Sequence, residues 1–128
     1  MKVANNLLWV NALLFLAFGL GFMFAPAFFS QTITGASPAT SSAMIDMRAT
    51  YGGIALGLAI FWGWCARERN TQHAGLLSSL LVLAATTIGR VIGMVVDGSP
   101  NIFMFILLTA ELIFVGLIVF ALKQIEKE

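Results

Sequence analysis

Residues 85–111 read ATTIGRVIGMVVDGSPNIFMFILLTAE, two apolar runs joined by the short polar turn DGSP. Within the turn, Gly98 can adopt a positive φ, Ser99 can cap a helix, and Pro100 suits the first position of the helix that follows. Helices joined by so short a connection are antiparallel neighbours. The stretch therefore predicts a helical hairpin, and it leaves one charged residue inside each apolar run.

Three further features extend this hairpin to the whole chain. Apolar segments occupy residues 7–29, 44–66, 74–96 and 101–122, and a helix needs about 20 residues to cross a lipid bilayer. The chain is 59% hydrophobic and 10% charged over 128 residues, which is more apolar surface than a soluble fold of this size could bury. Because lipid offers the backbone no hydrogen-bond partners, the segments should be helical. We predict an all-α, antiparallel, transmembrane four-helix bundle that forms a single domain, residues 1–128.

The basic residues predict how the bundle is oriented. Five of the seven lie in the amino-terminal segment, the second connection and the carboxyl-terminal segment, namely Lys2, Arg67, Arg69, Lys123 and Lys127. With four spans, these three places share one side of the membrane, and residues 30–43 and 97–101 on the other side lack Lys and Arg. By the positive-inside rule, both termini are predicted to be cytoplasmic. The first apolar segment is too long for a signal peptide, so we interpret it as a retained helix.

Two other patterns concern the connections and the packing. The segment 30–43, SQTITGASPATSSA, is predicted to be a long uncharged loop in which Ser41 or Ser42 caps the second span. Glycines four residues apart lie on one helix face and let another helix approach closely. On this basis the helix-packing residues are predicted to be Gly53, Gly57, Gly89 and Gly93.

The charges inside the spans point to a salt bridge. Helical side chains lean toward the amino terminus of their own helix, so Arg90 should lean toward the membrane midplane and Glu111 toward the outer surface. Their expected difference in depth is about 5 Å, from the helical rise. We therefore predict that Arg90 and Glu111 pair, with Asp97 as a second partner for Arg90 at the rim.

The second span carries charges near the same surface. Arg48 can extend toward the lipid headgroups, and Asp46, about 200° away around the helix, must point elsewhere. Tyr51 shares the face of Arg48 and could hydrogen-bond into the charged cluster. In the first span, Asn11 is predicted to make a hydrogen bond to another helix.

Three segments together resemble a known family: MIDMRATYGGIALGLAIFW, IGRVIGMVVDGSP and TAELIFVGL. They are similar to the bacterial domain of unknown function 4345, over the whole chain. The matching positions are Asp46, Arg48, Tyr51, Gly52, Gly53, Gly89, Arg90, Asp97, Gly98, Pro100 and Glu111. The resemblance implies a four-helix protein of the bacterial inner membrane and supplies no activity. A looser likeness to DoxX-like membrane proteins would imply an association with redox chemistry or quinones.

Three functions remain open at this stage. The first is a ligand site for a small anion, a lipid or another amphipathic molecule, with the candidate residues Arg48, Tyr51, Arg90, Glu111, Asp46 and Asp97. The second is a structural or accessory subunit in which the Arg90–Glu111 pair only fixes the packing. The third is transport by a homo-oligomer, either of a small solute or coupled to protons through Glu111.

An enzyme has the least support from the sequence. There is no pairing of a nucleophile with a base, no cluster of metal ligands and no phosphate-binding loop, so no catalytic residue, metal or cofactor is predicted. The net charge of +1 excludes a basic surface for nucleic acid. The expected partner is the lipid bilayer.

Overall fold

The computed structural model describes residues 2–127, and all regular structure in this range is helical. The helices are α1 Lys2–Phe24, α2 Pro26–Thr34, α3 Ser41–Met47, α4 Ile54–Arg67, α5 Gln72–Asp97 and α6 Ile102–Glu126. A π-helical turn, Arg48–Gly53, joins α3 to α4, and a 3-10 turn, Arg69–Thr71, leads into α5.

Within the described residues, four helical spans are long and apolar enough to cross a membrane: Lys2–Phe24, Ser41–Arg67, Arg69–Asp97 and Ile102–Glu126. The prediction of an all-α four-helix bundle is therefore confirmed. We call the end that carries Lys2, Arg67 and Glu126 the terminal end of the bundle. The opposite end, which carries α2, α3 and residues 98–101, is the far end.

The first predicted helix, residues 7–29, is divided in two. Ala25 has φ −138° and ψ 57°, outside the helical region, and Pro26 begins α2. A residue that precedes proline is pushed out of the α conformation, and proline has no N–H to continue the helical hydrogen bonds. As a result α2 occupies the first part of segment 30–43, which was predicted to be a loop, and Gly35 ends it with φ 85°.

The cap of the second span differs from the prediction. Thr40, not Ser41 or Ser42, is the capping residue, and its hydroxyl oxygen accepts a hydrogen bond of 3.1 Å from the backbone N–H of Ala43. A capping side chain must precede the first helical residue. The helix begins at Ser41, so both predicted serines lie within it.

The turn of the last hairpin also differs in its cap. Gly98 has a positive φ of 66°, as predicted, but Ser99 also has a positive φ, 46°, and does not cap α6. The cap is Asn101, whose side-chain oxygen accepts a 3.1 Å hydrogen bond from the backbone N–H of Met104. Pro100 therefore precedes the cap and does not occupy the first helical position.

The bundle is best packed toward its terminal end. α1 packs most extensively on α4 and the π-helical turn, while α5 packs on α6. These two pairs meet in a buried apolar cluster: Ala4, Leu7, Leu8, Ala12, Trp62, Cys65, Ala66, Leu76, Leu83, Ile118, Ala121 and Leu122. No residue of α5 beyond Leu83 is buried. The α5–α6 hairpin is therefore much less covered by the other pair in its far half.

The four glycines predicted to pack do not face another helix. A methyl group added at Gly53, Gly57 or Gly89 would meet no atom within 4 Å, and at Gly93 it would meet only the Asp97 carboxylate, at 3.7 Å. The packing role predicted for these positions within the chain therefore does not hold. The spacing of the glycines places each pair on one helix face, but it does not say which way that face points.

Within residues 2–127, three other glycines make the closest contacts between different spans. A methyl group at Gly52 would lie 2.8 Å from the backbone nitrogen of Met23, and one at Gly19 would lie 2.9 Å from the carbonyl oxygen of Gly52. At the terminal end, a methyl group at Gly75 would lie 2.6 Å from the Cβ of Cys65. The second span thus crosses α1 backbone to backbone, within the π-helical turn.

Candidate functional site

Arg90 and Glu111 form a two-point ion pair between α5 and α6. The Nε of Arg90 donates a 2.9 Å hydrogen bond to Oε1 of Glu111, and Nη2 donates a 2.8 Å hydrogen bond to Oε2. Both carboxylate oxygens are therefore engaged by one planar guanidinium, the strongest arrangement for such a pair. The predicted salt bridge is confirmed.

The guanidinium retains hydrogen-bonding capacity beyond this pair. Nη1 of Arg90 contacts the thioether sulfur of Met104 at 3.4 Å, and sulfur is a weak acceptor. An arginine has five N–H groups, and three of them make the contacts just described. Within residues 2–127, the other two have no acceptor.

The pair lies where the bundle is least covered. The buried residues of α6 are Glu111, Ile118, Ala121 and Leu122, so Glu111 is the one buried residue in the far half of that helix. The side chains of Arg90 and Glu111 are 18% and 11% exposed. The Arg90–Glu111 ion pair is thus largely buried. Much of the apolar surface of α5 and α6 around it is nevertheless not covered by the other helices.

Arg48 binds a backbone carbonyl of the first span. Its Nη1 donates a 2.6 Å hydrogen bond to the carbonyl oxygen of Met23, in the last turn of α1. The last four carbonyls of a helix have no partner within the helix, and an arginine can supply one. Since Pro26 ends α1 early, this carbonyl is available, and Arg48 is held beside α1.

The other three candidates make weaker contacts. Tyr51 is exposed and its ring packs 5.3 Å from that of Phe22, while within residues 2–127 its hydroxyl makes no hydrogen bond. Asp46 accepts one long hydrogen bond, 3.4 Å, from the hydroxyl of Thr50. Asp97 is exposed and, in the described chain, is unpaired.

The six candidates therefore do not form one cluster. Among residues 2–127, no hydrogen bond, ion pair or ring contact joins Arg48 or Tyr51 to Arg90 or Glu111. Asp97 does not serve as the second partner of Arg90, because the Arg90 side chain leans toward the start of α5 and away from Asp97 at its end. Only Arg90 and Glu111, with Met104, are brought together.

One predicted contact outside this group is present. The amide nitrogen of Asn11 donates a 2.8 Å hydrogen bond to the hydroxyl of Ser79, and both residues are buried. The prediction that Asn11 bonds to another helix is confirmed. The contact of Arg90 with Met104 was not predicted, although the spacing of Met104 and Glu111 along α6, seven residues or two turns, places them on one face.

Two clefts lie elsewhere on the surface. One, of about 370 Å³, is at the terminal end and is lined by Lys2, Asn5, Ala66, Arg67, Arg69 and Gln72. The other, of about 380 Å³, is on α6 and is lined by Phe105, Ile106, Thr109, Ala110 and Ile113. Neither includes Arg90 or Glu111.

Comparison with protein families gives one match, the domain of unknown function DUF4345, over residues 3–122. The chain belongs to this family. The DUF4345 match includes the second and third spans, most of the first and fourth spans, and both members of the Arg90–Glu111 pair. Comparisons with curated proteins and with solved structures find no match. Membership of DUF4345 assigns no activity, so the function must be argued from the chain itself.

Proposed function

We propose that this multi-pass membrane protein binds an amphipathic molecule through the guanidinium of Arg90, in the far half of the bundle. We further propose that it resides in a bacterial inner membrane with both termini in the cytoplasm, because the basic residues cluster at the terminal end. The far half would then lie in the outer leaflet. The observation that carries the ligand proposal is the pair of Arg90 N–H groups without an acceptor.

The ion pair favours one class of ligand over another. Glu111 neutralises the charge of Arg90, so a small free anion would gain little attraction and would meet a carboxylate beside its binding point. An uncharged oxygen, such as an ester or ketone carbonyl, accepts a hydrogen bond from the guanidinium without that repulsion. The ligand expected here has an acceptor oxygen on an apolar body, which would lie against the open apolar surface of α5 and α6.

Glu111 would orient the guanidinium toward such a ligand. With Nε and Nη2 fixed by the two carboxylate oxygens, the plane of the guanidinium is fixed as well. The remaining N–H groups then point in defined directions, so the ligand need not order the arginine when it binds. Preorganisation of this kind lowers the entropic cost of binding.

A structural role is the second candidate, and the same geometry favours it. The pair joins α5 to α6 in the half where Glu111 is the one buried residue of α6. Both carboxylate oxygens are already paired with Arg90. The ion pair is therefore able to hold the hairpin together without any ligand. A buried ion pair of this type can often be replaced by apolar residues without loss of stability.

An experiment that uses this replacement separates the two candidates. The double variant Arg90→Met/Glu111→Leu removes both charges and leaves neither partner unpaired. The purified protein in decyl maltoside would be titrated with monoolein, which has an ester carbonyl on an apolar chain, or with oleate, and the thermal midpoint recorded. We expect monoolein to raise the midpoint of the wild-type protein more than oleate does, and to raise that of the double variant much less.

The matched control is Asp97→Asn, which removes an exposed charge from the same helix and should respond like the wild type. If the double variant is folded and gains as much from monoolein as the wild type, the ion pair has only the structural role. If neither probe raises the midpoint of the wild type, the proposed ligand class is wrong.

A further inference from the structure

The cleft at the terminal end is a junction of three spans. α1 contributes Lys2 and Asn5, and the last turn of α4 contributes Ala66 and Arg67. The connection into α5 contributes Arg69, and Gln72 is the first residue of α5. It lies at the opposite end of the bundle from Arg90 and Glu111, so what it binds is independent of the function proposed above.

The walls of this cleft are held by hydrogen bonds. The amide nitrogen of Asn5 donates a 2.8 Å hydrogen bond to the carbonyl oxygen of Ala66, which ties α1 to the end of α4. The hydroxyl of Thr71 is within 2.9 Å of the carbonyl oxygens of Cys65 and Glu68 and closes the connection between α4 and α5. The cleft is therefore a preformed feature of the fold.

Within residues 2–127, every charged residue that lines the cleft is basic. Lys2, Arg67 and Arg69 line the cleft, and the acidic residue of the same connection, Glu68, does not. Two of these cations come from the ends of different spans, so their approach is imposed by the bundle. Lys2 and Arg67 make no ion pair within residues 2–127, so their like charges repel each other, and an anion placed between them relieves that repulsion.

Gln72 is a second, independent observation at the same place. It lines the cleft and is 6% exposed, and within residues 2–127 its amide oxygen has no hydrogen-bond partner. Buried polar atoms are nearly always paired, with the protein, with water or with a ligand. An unpaired amide oxygen beside Lys2 and Arg67 fits a ligand that has a hydrogen-bond donor as well as a negative charge.

Aromatic residues indicate that the cleft lies at the membrane surface. Trp9 and Trp64 are 40% and 52% exposed, and both lie within two helical turns of the terminal end, near Lys2 and Arg67 respectively. Exposed tryptophans concentrate where the hydrocarbon meets the headgroups. The cleft is therefore at the depth of the phosphate groups of the adjoining leaflet.

We infer that this cleft binds a phosphate ester, and specifically the headgroup of an anionic phospholipid such as phosphatidylglycerol. Lys2 and Arg67 attract the phosphate, and a glycerol hydroxyl supplies the donor for Gln72. Basic pockets between transmembrane helices recognise lipid headgroups through the same chemistry. The acyl chains would extend along the apolar surface beside Trp9 and Trp64.

The test compares two double variants that remove the same charge. Lys2→Gln/Arg67→Gln removes two cations of the cleft, and Lys123→Gln/Lys127→Gln removes two cations of the same end that do not line it. Native mass spectrometry in detergent would measure the binding of phosphatidylglycerol and of phosphatidylcholine. The wild type should bind phosphatidylglycerol more tightly, and the cleft variant should bind it roughly 20- to 30-fold more weakly than the control variant does.

A competition experiment with inorganic phosphate at millimolar concentration distinguishes a lipid headgroup from free phosphate as the ligand. Displacement of phosphatidylglycerol would identify soluble phosphate as a ligand, and failure to displace it would identify the lipid. Since Lys2 and Arg67 are exposed, the cleft variant should fold, and the single variant Lys2→Gln serves as a further check. Equal losses in the two double variants, or no preference of the wild type for phosphatidylglycerol, would overturn the inference.

Discussion

The carbonyl oxygen of Gly52 lies against Gly19, at 2.9 Å from the position that a methyl group on Gly19 would occupy. A methyl group on Gly52 would in turn lie 2.8 Å from the backbone nitrogen of Met23. Backbone atoms cannot move aside as a flexible side chain can. We therefore expect Gly52→Ala to lower the free energy of unfolding by about 1–3 kcal/mol, as measured by titration with sodium dodecyl sulfate.

The neighbouring glycine is the matched control. A methyl group at Gly53 would meet no atom of another helix within 4 Å among residues 2–127. Gly53→Ala should therefore not lower the free energy of unfolding, and the higher helix propensity of alanine should raise it by up to about 1 kcal/mol. If Gly53→Ala destabilised the protein as much as Gly52→Ala, the conclusion that Gly52, and not Gly53, faces α1 would be wrong.

The loss of stability should depend strongly on whether one or both partners of the Arg90–Glu111 pair are removed. Arg90→Met leaves a lone carboxyl in an apolar setting, which should cost about 3 kcal/mol of stability. Arg90→Met/Glu111→Leu should recover most of that loss. Equal destabilisation of the single and double variants would show that the pair contributes nothing as a unit.

The buried hydrogen bond from Asn11 to Ser79 links α1 to α5. Ser79→Ala removes the acceptor and leaves the amide of Asn11 unpaired, so the free energy of unfolding should fall by about 1–2 kcal/mol. Thr86→Val is the control, because the Thr86 hydroxyl is exposed and bonds within its own helix, to Val82. A comparable loss in both variants would contradict a specific role for the interhelical bond.

Asn101 makes two separable contacts at the far end. Its side-chain oxygen caps α6, and its side-chain nitrogen donates a 2.9 Å hydrogen bond to the carbonyl oxygen of Ile33 in α2. Asn101→Asp keeps the cap and loses the link to Ile33, whereas Asn101→Ala loses both. Amide hydrogen exchange should therefore accelerate in residues 26–34 for both variants, and in the first turn of α6 for the alanine variant only.

Much of this fold follows from hydrophobic length and helix geometry, which the sequence displays directly. The Arg90–Glu111 contact was predictable because the short turn fixes the two helices as neighbours and the lean of helical side chains brings the two groups together. Asn11 was predictable for a related reason, since a lone amide within an apolar span needs a partner. In both cases local rules determine the contact.

The remaining site residues depend on tertiary geometry. Arg48 was expected to join the charged cluster, but the break at Ala25 exposes the carbonyl of Met23 and Arg48 binds there instead. The expected packing glycines failed for a similar reason. Whether Gly52 or Gly53 faces α1 depends on the rotation of the second span, and the unforeseen π-helical turn changes that rotation.

The wide turn at Arg48–Gly53 separates the second span into two segments with different angular registers. The turn accommodates one additional residue. Every residue that follows it in the span is therefore rotated about the helix axis by about 100° relative to an uninterrupted α-helix. A helical-wheel projection drawn through the whole of Ser41–Arg67 therefore assigns one half of that span to the wrong side. Deleting a single residue from the turn would rotate α4 and present its outward-facing side chains to α1.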